Sequence, residues 1–252
     1  MGKILAVTIQ KGGVGKSTTV LEIGVNLANL GNKVLLIDLD PQQNLSRMAG
    51  GDFEMVSIYD VLSGDIDAEN AVQSVQKCDI IIADKQLKFA DRDFAGERDL
   101  FRLSAALSYL KGVYDYIIID TPPSLGVLPS MALTAADGCV VPCEATANGA
   151  QGLGQLSDSI REIREKYNPN LKILGVLLTQ YTWRTTFNRV MRDQIQEYAE
   201  AMGSKLFETH IRTAVVVQEA QGFGQSVTEY SPKSKPAQDY LELTKEILKE
   251  LN

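Results

Sequence analysis

The chain has 252 residues, 44% hydrophobic and 23% charged, with a formal net charge of −7. That length suits one large α/β domain or two small ones, and the acid excess excludes a chain coated in basic surface, so any nucleic-acid contact needs a local patch. Three cysteines give no even disulfide framework, and no stretch approaches the roughly 18 apolar residues of a membrane span.

In chain order, the N-terminus runs straight into "ILAVTI" (4–9) with no cleavable leader pattern, which points to a cytoplasmic protein. The glycine-rich "KGGVGKST" follows. A helix then runs from about Lys16 to Gly31, with Val20, Ile23, Leu27 and Leu30 on one face. Further strands are predicted at 33–39, 79–83, 114–120, 138–143, 172–179 and 205–209, and helices at 97–111, 150–167, 185–202 and 237–251. Most of the strands are continuous apolar runs, as expected when both faces of a sheet are covered. The alternation predicts a single α/β domain over 1–252, a mostly parallel sheet flanked by helices on both faces. Cys139 and Cys143 flank one of the apolar runs, and the only histidine, His210, is far along the chain. They read as buried thiols rather than metal ligands.

Three stretches carry chemistry. The usual phosphate-loop pattern G-x-x-x-x-G-K-[ST] has glycine where this chain has Gln10, and here an additional lysine, Lys11, precedes Gly12 and Gly13. Gly12, Gly13, Val14 and Gly15 can turn backbone N–H groups toward phosphate oxygens, and a helix N-terminus adds partial positive charge. Lys16 is placed to reach the β- and γ-phosphates of a nucleotide, Ser17 to ligate Mg²⁺ and Thr18 to bond the α-phosphate. Next, "LLIDLDPQQN" ends a strand with Asp38 and Asp40, two carboxylates expected on one face. Asp40 alone would read as the start of an Asp-Pro turn; beside a triphosphate it reads as the group that polarises the attacking water. Last, "YIIIDTPPSLG" ends an apolar strand at Asp120, suited to hold Mg²⁺ through its water shell, and Thr121-Pro122-Pro123 makes a stiff loop able to sense the γ-phosphate.

Together these stretches resemble the deviant-Walker ATPases and, within them, the ParA/Soj partition ATPases. The resemblance covers nearly the whole chain, including "PKSKPAQDYLELTKEIL". It implies a P-loop ATPase that uses ATP and Mg²⁺ and forms an ATP-dependent homodimer in which Lys11 reaches the partner's phosphates. Lys11 and Lys16 then serve catalysis, Asp40 is the hydrolytic residue, and 38–46 and 120–126 are the two switches. It also implies non-specific binding of double-stranded DNA, a nucleoid-associated location, and slow hydrolysis stimulated by a ParB-like centromere-binding protein with a basic segment. Arg184 and Arg189 match the DNA-binding region, with Arg192 extending it, and Gln180 and Arg212 match adenine contacts.

The pattern departs from its relatives in two places. Where they read "IPRNVRLSEAPSFG" this chain has "HIRTAVVVQEAQGFG", so a DNA-binding arginine falls on Val216 and the proline near adenine on Arg212. Either the DNA patch shifts toward Arg212, Lys233 and Lys235, or the DNA affinity is reduced. Gln43 stands where relatives have glycine. No helix-turn-helix extension precedes the loop, as in the short members of the family. The rival is a MinD-like or scaffold-positioning switch that does not act on DNA. A membrane role would need a C-terminal amphipathic helix with basic flanks and bulky apolar residues; the tail "AQDYLELTKEILKELN" is amphipathic, with Tyr240, Leu241, Ile247, Leu248 and Leu251, but its polar face mixes Glu with Lys, so it is expected to pack on the domain. A nitrogenase-type reductase would need cysteines at a dimer axis, and Cys139 and Cys143 fall on a strand.

Overall fold

The computed structural model describes residues 1–182 and 186–251. Among these residues the strands are β1 (Lys3–Val7), β2 (Val34–Asp38), β3 (Gln73–Val75), β4 (Cys78–Ile81), β5 (Tyr116–Asp120), β6 (Gly138–Cys143) and β7 (Lys172–Leu178). They form one sheet in the order β3-β4-β2-β5-β1-β6-β7, parallel throughout except for the β3–β4 pair. The helices are α1 (Lys16–Asn29), α2 (Asn44–Ala49), α3 (Ile58–Ser63), α4 (Ala90–Asp93), α5 (Arg102–Ala106), α6 (Val127–Ala135), α7 (Ala147–Lys166), α8 (Thr186–Ala201), α9 (Val215–Gly222), α10 (Val227–Tyr230) and α11 (Lys235–Leu251).

The apolar strands divide their side chains between two cores. Leu35 and Ile37 of β2 join Ile117 and Ile119 of β5 on one face, in the same core as Leu153 and Ile160 of α7. Val34, Leu36 and Ile118 point to the other face, against Val20, Ile23 and Leu27 of α1 and Tyr240, Leu243 and Ile247 of α11. Successive strand residues alternate sides, so a strand buried on both faces must be apolar at every position. Each of these large side chains contributes on the order of 2 kcal/mol by leaving water. The C-terminal helix thus packs on α1, which starts at the phosphate loop. No helix of the described residues is long and apolar enough to cross a membrane.

Two expectations need correction, and one strand was not expected. Residues 205–209 form no strand; the only pairing there is the isolated parallel bridge Val176–Leu206. The helix expected over 97–111 is broken into a 3-10 turn at Glu97–Phe101, α5, and a second turn at Leu110–Gly112. Leu103, Leu107 and Leu110 are still buried, so the apolar spacing survives the break. Finally, β3 joins β4 through the two-residue turn Gln76-Lys77, with Gln76 at φ 41°. Glycine and asparagine usually mark such a turn, and neither is present.

Candidate nucleotide site

β1 lies between β5 and β6, so the loop that leaves it emerges where the strand order reverses, the usual ligand position in an open α/β sheet. Gly13 (φ 77°) and Gly15 (φ 81°) are left-handed, and a Cβ on either would meet nothing within 4 Å. Backbone conformation rather than space requires glycine there. Gly15 caps α1 with no side-chain bond, which leaves the N–H groups of the first turn for an anion. Lys16 is buried, and its Nζ donates to the Lys11 carbonyl at 2.9 Å. Burial pulls this ammonium below its usual pKa, while Asp120 and Asp40 pull it back up.

Lys11 faces elsewhere. Its Nζ donates to Glu144 Oε2 at 2.6 Å and to Thr146 Oγ1 at 3.4 Å, both half-exposed neighbours at the rim. Glu144 also accepts from Gln180 Nε2 at 3.1 Å, and the same Nε2 donates to the Gly13 carbonyl at 2.8 Å. Gln180 therefore props the loop from outside. Thr18 Oγ1 accepts from Gln221 Nε2 at 2.7 Å.

The carboxylates are divided by role. Asp38 and Asp120 are register partners at the ends of β2 and β5, and both are fully buried. Asp38 Oδ1 accepts from the Asp40 N–H at 3.0 Å, and Oδ2 from the Ser46 N–H and hydroxyl at 2.9 and 2.7 Å. Burial still raises its carboxyl to about 6. Asp38 thereby fixes the path from β2 to α2. Asp40 accepts from the Gln42 N–H at 2.9 Å and lines a hollow shared with the glycine-rich loop, so it serves the turn as well as the cavity wall. Burial raises its pKa, against that bond and Lys16. Gln43 is left-handed at φ 61°, a conformation that favours glycine. Here its Nε2 holds the Ala83 carbonyl at 3.0 Å.

Neither oxygen of Asp120 has a hydrogen-bond partner among the described residues. Burial and the neighbouring Asp38 hold its pKa well above the carboxylate range, while Ser17 and Lys16 pull the other way. An orphaned buried carboxylate beside a serine hydroxyl fits Mg²⁺, whose charge would restore the ionised form. Ser17 and Asp120 would hold the ion, which would neutralise charge on the terminal phosphates. No group of three or more His, Cys, Asp or Glu is placed to hold a metal among the described residues. Cys139 and Cys143 are buried free thiols, both raised to about 12 by burial.

Two hollows meet at the loop. One of about 620 Å³ is lined by Gly12, Lys16, Asp40, Arg47, Pro123 and Gln221. The other, about 230 Å³, runs from Gly15 and Thr18 to Gln180, Arg212, Gln218 and Tyr240. Gln221 borders both. A hollow of about 660 Å³ beside Leu62, Arg102 and Tyr109 contains none of the loop residues. Arg212, expected at adenine or in a DNA patch, lies on the smaller cavity in a two-bond pair with Asp239. Arg189 is exposed on α8, Arg192 pairs with Asp193 at 3.2 Å, and Lys233 and Lys235 are exposed before and at the start of α11. Arg184 lies outside the described residues. Val216 packs beside a small cluster of Ala220, Val227 and Ala237. The sequence reading missed Glu144, Gln218, Gln221 and Asp239. They come from segments far from the loop, and polar residues on isolated helices carry no pattern of their own.

A family model described as an AAA domain matches residues 2–173. The chain is 39% identical to the sporulation initiation inhibitor protein Soj of Bacillus subtilis, covering 98% of both chains. It is 37% identical to the chromosome partitioning protein ParA of Caulobacter vibrioides over 98% of this chain and 94% of that one. A crystal structure of cobyrinic acid a,c-diamide synthase from Mycobacterium smegmatis with bound ATP analog and magnesium superposes with a TM-score of 0.85, at 34% identity, covering 97% of this chain and 93% of the other. A phosphate loop on the central strand, two acidic strand ends beside it and relatedness over the whole length agree: the chain is an ATPase that belongs to the ParA/Soj family of deviant-Walker proteins.

Proposed function

We propose that the chain is a partition ATPase that dimerises on ATP, holds double-stranded DNA through phosphate contacts and releases it after hydrolysis stimulated by a ParB-like partner. The observation that carries this reading is the separation of the two lysines. Lys16 is folded into its own loop, whereas Lys11 sits at the rim on Glu144 and Thr146. A rim ammonium suits delivery to a second copy, where added positive charge favours the developing phosphate charge. Gly12, Gly13, Val14, Gly15 and Thr18 bind the phosphates, Lys16 holds the terminal ones, and Asp40 orients the attacking water. The exposed Arg189 supports a DNA face on α8, with Arg184 expected beside it. The acidic chain suits a basic segment of a partner.

A MinD-like membrane role is disfavoured by α11, whose Tyr240, Leu243 and Ile247 are buried in the core against α1. A cytoplasmic, nucleoid-associated location follows from the DNA reading. The test is binding of Asp40→Ala protein to duplex DNA with ATP and with ADP across a salt series. ATP-dependent binding that weakens steeply with salt is the expected result. An ATP dimer with no DNA affinity would discard the DNA half and favour a scaffold-positioning switch.

A further inference from the structure

One end of the smaller cavity carries a charged pair, Arg212 with Asp239. The backbone at this point is pinned to the end of β7: the Ile211 N–H donates to Leu178 O at 2.8 Å, and the Tyr181 N–H to Ile211 O at 3.0 Å. From there the Arg212 side chain donates Nε to Asp239 Oδ2 and Nη2 to Asp239 Oδ1, both at 2.7 Å, with the Arg212 N–H adding 3.3 Å to Oδ2. The Asp239 side chain is only 10% exposed and that of Arg212 40%. The guanidinium plane is therefore fixed from one side, and its other side is open.

A guanidinium carries five N–H donors in a rigid fork. Asp239 takes the Nε edge. The opposite edge, formed by Nη1 and the second Nη2 hydrogen, has no acceptor among the described residues. Arg212 lines the same cavity as Gly13, Gly15 and Thr18, so a nucleotide with its phosphates on the loop has its base at this end. Guanine presents two acceptors, N7 and O6, to such a fork. Adenine presents N7 beside an N6 amino group that opposes a second donor. The Gln218 amide in the same cavity offers both a donor and an acceptor, and so suits either base.

We propose that Arg212, held by Asp239, reads the base and admits guanine nucleotides beside adenine ones, so that the chain binds and hydrolyses GTP as well as ATP. The inference rests on the nucleotide-site reading above. The chemistry is unchanged: a water oxygen bonds the γ-phosphorus, the β–γ bridging bond breaks, and GDP and phosphate leave. Arg212 is the specificity-determining residue and Asp239 its positioning residue.

Titration calorimetry with Mg²⁺ and the β,γ-imido analogues of ATP, GTP and ITP tests this on wild-type protein, Arg212→Lys and Asp239→Asn. Lysine keeps a charge opposite Asp239 and loses the fork, and a thermal melt verifies that each variant is folded. In the wild type the guanine analogue is expected within about tenfold of the adenine one, with the inosine analogue following guanine because it keeps N7 and O6. Arg212→Lys should weaken the guanine analogue about tenfold and the adenine analogue by less than threefold, with Asp239→Asn moving the ratio the same way. Wild-type protein that binds only the adenine analogue overturns the proposal, as does an unchanged ratio in Arg212→Lys. An unchanged ratio with weakened duplex DNA binding would assign the fork to nucleic-acid phosphates instead. Wild-type protein that binds none of the three would overturn the site assignment itself.

Discussion

At its phosphate end the nucleotide site is made of backbone and strand termini. Gly13 and Gly15 shape the loop, the first turn of α1 offers its N–H groups, and Asp38, Asp40 and Asp120 follow directly from β2 and β5. At its other end, where we place the base, the cavity is made of side chains from four separate places: Gln180 after β7, Arg212 beyond it, Gln218 and Gln221 on α9, and Tyr240 on α11. The first end is positioned by the sheet, where a shift of one strand would disturb its neighbours. The second is positioned by pairwise contacts such as Arg212–Asp239 and Gln221–Thr18. A scaffold of the first kind tolerates little change, whereas the second can vary in side chains while the fold persists.

That contrast predicts a graded series of effects. Lys16→Ala should weaken ATP binding by roughly 100-fold or more, read by calorimetry, because it removes a buried charge-assisted donor; a loss under tenfold would mean the phosphate end does not depend on its lysine. Asp40→Ala should lower turnover about 100-fold with ATP affinity kept, the scale of a lost water-orienting group. Equal turnover would leave Asp40 with its turn alone. Gly15→Ala has room for its Cβ and should cost about 1–2 kcal/mol through left-handed strain, measured as a shift in denaturant midpoint.

The smallest effect concerns α1, which joins the two ends. Glu22 is buried on this helix, accepts from the Thr228 hydroxyl at 2.7 Å and the Thr228 N–H at 3.2 Å, and also bonds the Val227 N–H. Burial raises its carboxyl from 4.5 to about 7. The folded chain therefore keeps a proton that the unfolded chain has lost. The stabilising contribution is full below pH 4.5 and is lost as pH rises through about 7. Glu22→Gln should flatten that part of the melting-temperature profile between pH 5 and 8; parallel profiles would show that Glu22 stays ionised.

The same division explains what could be read from the residues alone. Strand identity, sheet class and the phosphate end follow from apolar runs that stop at an aspartate or a glycine turn, local signals that burial enforces. The helix α9 was hidden because "VVVQEAQG" opens with three valines, which favour a strand; packing of Val216, Ala220 and Val227 overrides that preference. The hairpin at Gln76 lacked its usual turn residue. Asp239 was invisible as a site residue because its importance lies in Arg212, 27 positions away. Gln43 was noted as a departure, and its reason, a left-handed backbone held by Ala83, needs the third dimension.

The packing of α11 on α1 also has a consequence for biosynthesis. Ribosomes make the chain from its N-terminus at roughly 5–20 residues per second. Residues 11–18 and their helix emerge early, but Asp239 and Tyr240 follow only after all seven strands have been made. Once β5 has delivered Asp120, a nascent chain would hold the elements of the phosphate end for about six seconds or more before Asp239 and Tyr240 follow. Tight capture of nucleotide, and any assembly that depends on it, is thereby deferred until the rest of the domain is in place.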